Sequence, residues 1–127
     1  MPDYDGQLFS PPAPVARVIL RAPGGAKSIA DVVMQIDSGA DVTLIPATCA
    51  DRLALHRVVE KGFVLQGFDG YSAPANAVDA EMFFLGRFFR GQFLIIDQDY
   101  GILGRNVLNH VSLLLDGPQL TWREAVH

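Results

Sequence analysis

The chain has 127 residues, half of them hydrophobic and 19% charged, a composition that fits one compact globular domain and excludes a disordered or collagen-like polymer. Its formal net charge is -4 and its Lys and Arg residues are scattered, so we expect neither nucleic acid nor a membrane as a partner. No signal peptide or membrane-spanning stretch is recognisable, which favours a cytoplasmic location.

Residues 1–14 form a proline-rich N-terminal arm, either extended or mobile, and we expect the folded domain to occupy residues 15–127. Short runs of β-branched and aromatic residues follow, separated by Gly, Pro and Asp, which indicates an all-β domain. The predicted strands are 15–20, 29–36, 63–66, 80–84, 93–96, 112–115 and 119–122. Short helices are predicted at 46–53 and 105–111.

Two segments share one plan, VMQIDSGADVTLIP at 33–46 and FLIIDQDYGILGRNVL at 93–108. Each has an apolar strand, an acidic or glycine-containing corner, a second short apolar run and a helical turn. One interpretation is two similar halves around an axis. The other is the ordinary repetition of strand-turn-strand units in a small barrel, which spacing alone favours.

The segment with the clearest chemical meaning begins at Asp37, which follows the apolar run 32–36 and precedes Ser38 and Gly39. An acid at this place is held on a rigid element, with backbone N–H groups and a hydroxyl close to its carboxylate. The same tripeptide also forms Asx turns, in which the acid only caps its own corner. The tripeptide alone therefore does not separate a catalytic acid from a structural one.

Three segments in order resemble the retroviral-type aspartic proteases, or retropepsins: the active-site loop 36–41, a glycine-bearing flap at 67–71 and the late signature 101–108. The resemblance covers about residues 15 to 115. It implies an all-β, retropepsin-like acid protease barrel with a flap hairpin and one or two short helices, one lobe per chain, in a C2 homodimer. It also implies an aspartic endopeptidase that acts on a peptide or protein and needs no cofactor.

Hydrolysis of a peptide by carboxylates needs two of them, which share one proton while one activates water and the other donates to the carbonyl oxygen. The chain has one Asp-Ser-Gly loop, and Asp97 and Asp99 lack its glycine corner. We therefore expect Asp37 of a second copy to complete the site. A single chain with two lobes would need about twice the 127 residues.

The resemblance also implies roles for the neighbours of Asp37. The Ser38 hydroxyl would bond the loop of the partner, and Gly39 would let the backbone approach the acid and the substrate closely. Ala40 stands where pepsin-like relatives carry a hydroxyl residue, so we expect activity at mildly rather than strongly acidic pH. Asp41 would receive the substrate backbone.

The late signature supplies the support for Asp41. Arg105 matches a family arginine that holds the aspartate in place, with Gly104 and Asn106 beside it. The alternative for Arg105 is a surface cation near the start of a helix.

Further substrate contacts are implied along the cleft and in the flap. The flap would be a hairpin from 61 to 85 that closes over the peptide. Most of the implied residues are apolar, which favours bulky apolar side chains near the scissile bond, whereas Gln35 either selects a polar group or faces solvent. The implied substrate-binding residues are Gln35, Val42, Gly67, Phe68, Gly70, Tyr71, Tyr100 and Ile102.

The segment 112–122 reads as a hairpin around Asp116 and Gly117, and we expect the homodimer to form through it. The alternative is a hairpin that closes the barrel of one subunit, which we expect would leave Trp122 exposed. Cys49 has no partner in the chain and is expected in the core or in a reducing compartment. The three histidines share no metal-ligand spacing with an acid, so no metal site is predicted.

A second function class fits the same motifs. A catalytically idle retropepsin-like domain would serve for dimerisation or peptide binding. The intact Asp37-Ser38-Gly39 loop favours the enzyme.

Overall fold

The computed structural model describes residues 3–25, 27–66 and 72–126. Its strands are β1 (Tyr4–Asp5), β2 (Ala13–Arg21), β3 (Ser28–Ile36), β4 (Leu44–Pro46), β5 (Val58–Gln66), β6 (Ser72–Phe84), β7 (Arg87–Ile96), β8 (Gly101–Leu103), β9 (Leu113–Asp116) and β10 (Thr121–Glu124). Its helices are α1 (Ala47–Arg52) and α2 (Arg105–Leu108). Within the described ranges, no helix has the length and apolar character that crossing a membrane requires.

Six strands close into a barrel in the order β2-β3-β8-β4-β7-β6, and β6 pairs back onto β2. The closing ladder joins Ile19 with Phe83 and Arg21 with Glu81. β1 and β5 lie outside the ring, the first paired with β2 and the second with β6. The predicted all-β class is confirmed.

The barrel consists of two similar halves. β3 runs parallel to β8 and β7 runs parallel to β4, so the long strand of each half pairs with the short strand of the other. The two short strands meet in antiparallel pairing at Leu44 and Ile102, and each is followed at once by a helix. The repeated plan in the sequence is therefore two related halves, the interpretation that spacing alone did not favour.

Alternation along the strands fills the barrel with apolar side chains. In β2, Val18 and Leu20 point inward with no exposed surface. Burying such a side chain contributes about 1.5–3 kcal/mol to the stability of the folded state. Other completely buried core residues are Met34, Ile45, Met82 and Leu103. Cys49 on α1 belongs to the same core, and burial raises the pKa of its thiol, so this cysteine is a packing residue.

β6 is much longer than its sequence indicated, with 13 residues from Ser72 where only 80–84 was predicted. Pro74 lies inside it and pairs with Val64 of β5. β7 accompanies β6 only from Ala77 onward, so Pro74 has a neighbouring strand on one side alone, a place where a missing N–H does not break a ladder. The stem of the predicted flap hairpin is thus present, and its tip at 67–71 lies outside the described residues.

The N-terminal arm lies along the domain. Tyr4 pairs with Pro14 of β2 and its N–H donates to the carbonyl oxygen of Leu120 at 3.0 Å, while Asp3 forms a bridge with Thr121. Residues 3–14 are therefore attached to the domain, with extended backbone at β1 and from Ala13 and a bent loop between them.

The C-terminal hairpin, β9 with β10, forms a separate two-stranded sheet against the barrel. Trp122 is only 4% exposed, and its indole Nε1 donates to the carbonyl oxygen of Val15 at 2.8 Å. The expectation that such a hairpin would leave Trp122 exposed is wrong, because one face of β10 packs on β2 and Phe84. The exposed apolar residues of the hairpin are Leu114, Leu115 and Leu120.

We expect Trp122→Phe to lower the free energy of unfolding by about 1–3 kcal/mol, because phenylalanine keeps one aromatic ring but lacks the indole N–H, so the buried carbonyl of Val15 loses its donor. Denaturant unfolding of both proteins measures the change. Val126→Ala, at a side chain that is 87% exposed on the same terminal segment, is the control and should stay within about 0.5 kcal/mol. A Trp122→Phe protein as stable as the control would contradict this account.

Candidate active site

Asp37 stands directly after β3, at the end of the barrel where β8 also ends. Its N–H donates to the carbonyl oxygen of Leu103 at 3.1 Å, which extends the β3–β8 pairing into the loop. Its Oδ1 accepts the N–H of Gly39 at 2.9 Å, and its carbonyl oxygen accepts the N–H of Ala40 at 3.1 Å. The Asx turn that the sequence allowed is present. The turn uses Oδ1 as its acceptor. Since a carboxylate has two acceptor oxygens, the turn orients the acid while Oδ2 takes no part in it.

The loop after β3 and the start of α2 meet with almost no space between them. A Cβ on Gly104 would lie 2.3 Å from the carbonyl oxygen of Val42 and 3.0 Å from that of Ala40, so only glycine fits at this crossing. Immediately beyond it, the N–H of Arg105 donates to the carbonyl oxygen of Ala40 at 2.9 Å. Gly39 is also confined, because its Cβ would lie 3.1 Å from Oδ1 of Asp37.

Arg105 holds the other side of the active-site loop. Its Nη1 donates to the carbonyl oxygen of Ser38 at 2.9 Å, and its Nη2 pairs with Oδ1 of Asp41. The two side chains are 44% and 77% exposed, and an ion pair of that exposure contributes about 0–1 kcal/mol to stability. Its effect is geometric, since one guanidinium ties both ends of residues 38–41 to α2.

Thr43 is a structural residue of the site that the sequence reading missed. It has no exposed surface. Its hydroxyl donates to Oδ1 of Asn106 at 2.7 Å, and its own Oγ1 accepts the N–H of Gly104 at 3.0 Å. The signal for it is a single hydroxyl inside the apolar run 42–45. A buried hydroxyl must find partners, and here both lie in the late signature.

The implied cleft residues fall on neighbouring strands. Val42 and Ile102 are half-buried and pack against a small apolar cluster of Leu44, Ala77 and Leu94. They form an apolar surface beside the active-site loop.

Gln35 and Tyr100 extend the same region. Gln35 is half-buried in β3, where it pairs with Val15 and Ile102. Tyr100 precedes β8, and its half-buried ring meets that of Phe9 with centroids 4.8 Å apart at an angle of 69°. Phe9 was not among the residues that the sequence pointed to.

The flap residues Gly67, Phe68, Gly70 and Tyr71 lie outside the described residues, although β5 and β6 lead to them. In the ranges that the structure describes, no group of three or more His, Cys, Asp or Glu side chains could hold a metal ion.

No protein-family model matches the chain, and no curated protein matches its sequence. Among solved structures, that of EIAV protease complexed with the inhibitor HBY-793 is similar to it, with a TM-score of 0.58. The two are 21% identical, and the match covers 77% of this chain and 86% of that chain. The likeness shows the fold, so the retropepsin-like barrel that the motifs predicted is present.

We expect Thr43→Val to lower the free energy of unfolding by about 1–3 kcal/mol, because the buried N–H of Gly104 loses its acceptor. Amide hydrogen exchange followed by NMR locates the effect. Exchange at Gly104 should accelerate in Thr43→Val and stay slow in Thr43→Ser, which keeps the hydroxyl. Equal protection of Gly104 in both variants would show that Thr43 does not hold this crossing.

Proposed function

We propose that the chain is an aspartic endopeptidase whose active site forms between two copies, each contributing Asp37. The observation that carries the proposal is the placement of Asp37 at the end of β3 in a retropepsin-like barrel, with its carboxylate oriented by Gly39 and its loop tied down by Arg105. Such restraint suits an acid whose position matters for chemistry.

The direction of the strands argues that the second carboxylate comes from another chain. Asp97 follows β7 as Asp37 follows β3, and so is its counterpart in the other half of the barrel. β3 is parallel to β8, β8 is antiparallel to β4, and β4 is parallel to β7, so β3 and β7 run in opposite directions. Asp37 and Asp97 therefore follow strands that end in opposite directions, and they do not stand side by side. The nearer acid, Asp41, is paired with Arg105.

In the proposed dimer the two Asp37 carboxylates face each other across a twofold axis and share one proton, since two like charges about 3 Å apart do not both ionise. The ionised carboxylate takes a proton from a water molecule that attacks the scissile carbonyl carbon. The protonated one donates to the carbonyl oxygen, and collapse of the tetrahedral intermediate transfers a proton to the departing amine. The Ser38 hydroxyl binds the loop of the partner.

The substrate is an extended peptide lying between the active-site loop and the flap. Asp41, held by Arg105, receives its backbone, and the flap adds further backbone hydrogen bonds while excluding water. The half-buried surface of Val42 and Ile102 favours bulky apolar side chains near the scissile bond.

The C-terminal hairpin is the proposed dimer contact. Leu114, Leu115 and Leu120 are 41%, 51% and 47% exposed. Leu115 pairs with Trp122 and shares its face, whereas Leu114 points to the opposite face, so the hairpin exposes apolar side chains on both faces. A second hairpin placed against it by a twofold axis would cover such side chains of both copies at once. With Trp122 buried against the barrel, these leucines support the contact.

We expect the purified chain to cleave a mixed peptide library at mildly acidic pH, within about pH 4 to 7, and Asp37→Asn to reduce cleavage by about 100- to 10,000-fold or more, because both members of the dyad lose their acid. Mass spectrometry of the digests measures cleavage and side-chain preference together.

Asp97→Asn is the matched control, since it makes the same charge change after β7, away from the loop of Asp37, and it should cleave as the unaltered chain does. Cleavage that survives in Asp37→Asn, or a chain inactive across the whole range, would refute the enzyme. Peptide binding without cleavage would instead identify the idle dimerisation or peptide-binding domain.

We expect Leu115→Arg to convert the dimer to monomer and to abolish cleavage, because a buried unpaired guanidinium at the twofold contact would face its own copy. Sedimentation at several concentrations measures the oligomeric state. Val58→Arg changes a side chain of matched exposure, 50% against 51%, on β5, and should remain a dimer. A Leu115→Arg protein that stays dimeric would exclude this hairpin as the contact.

A further inference from the structure

The N-terminal arm brings an aromatic ring to the proposed cleft. Residues 6–12 lie between β1 and β2, and β2 pairs with β3 so that Val15 stands opposite Gln35. In antiparallel pairing, each residue back along β2 corresponds to one residue forward along β3. Ala13, two residues before Val15, therefore lies opposite Asp37, two residues after Gln35. The loop therefore leaves the sheet at the end of the barrel that carries Asp37.

The loop has a defined shape. The carboxylate Oδ1 of Asp5 accepts the N–H groups of both Gln7 and Leu8 at 2.8 Å, a turn that directs the chain back toward β8. The pairing of Tyr4 with Pro14 joins the two ends of the loop, and the hydrogen bond from the N–H of Tyr4 to the carbonyl oxygen of Leu120 fastens the N-terminal end. Phe9 thus lies on an ordered turn and not on a free end.

Phe9 meets Tyr100 edge to face, the arrangement that aromatic rings prefer. Tyr100 precedes β8 by one residue, and the two-residue period of a strand places it on the face of Ile102. Tyr100 is three residues from Leu103, a separation of about 10 Å along the strand. The carbonyl oxygen of Leu103 accepts the N–H of Asp37. A peptide side chain within about three residues of the scissile bond spans that distance.

We propose that Phe9 is a specificity-determining residue, which forms with Tyr100 an aromatic wall that selects a large apolar side chain of the peptide at one position beside the scissile bond. The inference rests on the proposed function, because it takes the face of Ile102 to be the peptide side of the cleft. Both rings are half-buried, so each keeps surface for a third group. Asp5 is the positioning residue, since its turn sets where Phe9 stands.

The test compares Phe9→Ala with Leu8→Ala, a neighbouring arm residue that is 49% exposed. Peptide libraries varied one position at a time are cleaved by the unaltered chain and both variants. Phe9→Ala should lose about 3- to 10-fold of the preference for aromatic and large aliphatic side chains at one position and keep the preferences at the others. Leu8→Ala should keep all of them.

Asp5→Ala removes the turn and should reproduce the same change at the same position, whereas Asp5→Asn, whose amide oxygen still accepts, should restore the preference. A merely stabilising role for the arm would lower the midpoint of thermal unfolding and leave the pattern of preferences unchanged, which would overturn the proposal. Faster cleavage of every peptide by Phe9→Ala would also overturn it, since the arm would then be a plug in the cleft.

The same libraries are selected for binding by the Asp37→Asn chain with and without Phe9→Ala, so the role of Phe9 is judged without catalysis. A chain that binds with a Phe9-dependent preference but never cleaves refutes the protease and retains the aromatic wall. A chain that cleaves with a preference that does not depend on Phe9 supports the protease function and refutes the role of Phe9 in specificity.

Discussion

The active-site loop depends on one close approach, the crossing of Gly104 over the backbone of residues 40–42. A side chain at Gly104 would collide with the carbonyl oxygen of Val42 at 2.3 Å. Because the crossing is this close, the N–H of Gly104 reaches the buried hydroxyl of Thr43, and the N–H of Arg105 reaches the carbonyl of Ala40. The contacts that orient the loop of Asp37 follow from this approach.

The energies of these contacts are unequal. The hydrogen bonds of Thr43 are buried. Removing such an acceptor leaves a buried donor unpaired, which lowers the free energy of unfolding by about 1–3 kcal/mol. The ion pair of Arg105 with Asp41 is exposed and contributes little to stability, but its guanidinium also holds Ser38. Stability and loop geometry are thus supplied by different residues of the two motifs, which meet across more than 60 positions of sequence.

The elements that sequence predicted best are those in which local pattern and chemistry agree. Asp37 ends an apolar run and is followed by a turn, and both short helices lie where Pro46 and Gly104 open them. Thr43 was missed because its partners are 61 and 63 residues away, and the burial of Trp122 because its acceptor is 107 residues away. Register between distant strands decides such contacts, and no short segment encodes it.

The length of β6 and the position of Phe9 were missed for related reasons. Pro74 normally marks the limit of a strand, and here it is tolerated where β6 has a partner on one side only. The arm has no periodic apolar pattern, so nothing local places Phe9 on Tyr100. The exposed leucines of the hairpin and the single Asp-Ser-Gly loop both support the proposed dimer, in which a second copy would cover the leucines and supply the second Asp37.

Shared catalysis is tested most directly by refolding the unaltered chain together with the Asp37→Asn chain and measuring cleavage per unaltered chain. If each site needs an Asp37 from both copies, random pairing lowers that activity to about half in an equal mixture and to about one tenth with a ninefold excess of the variant. The Asp37→Asn chain that also carries Leu115→Arg, which should not pair, is the control and should cause no loss. Activity per unaltered chain that stays constant at every ratio would show that one chain suffices and would contradict the shared site.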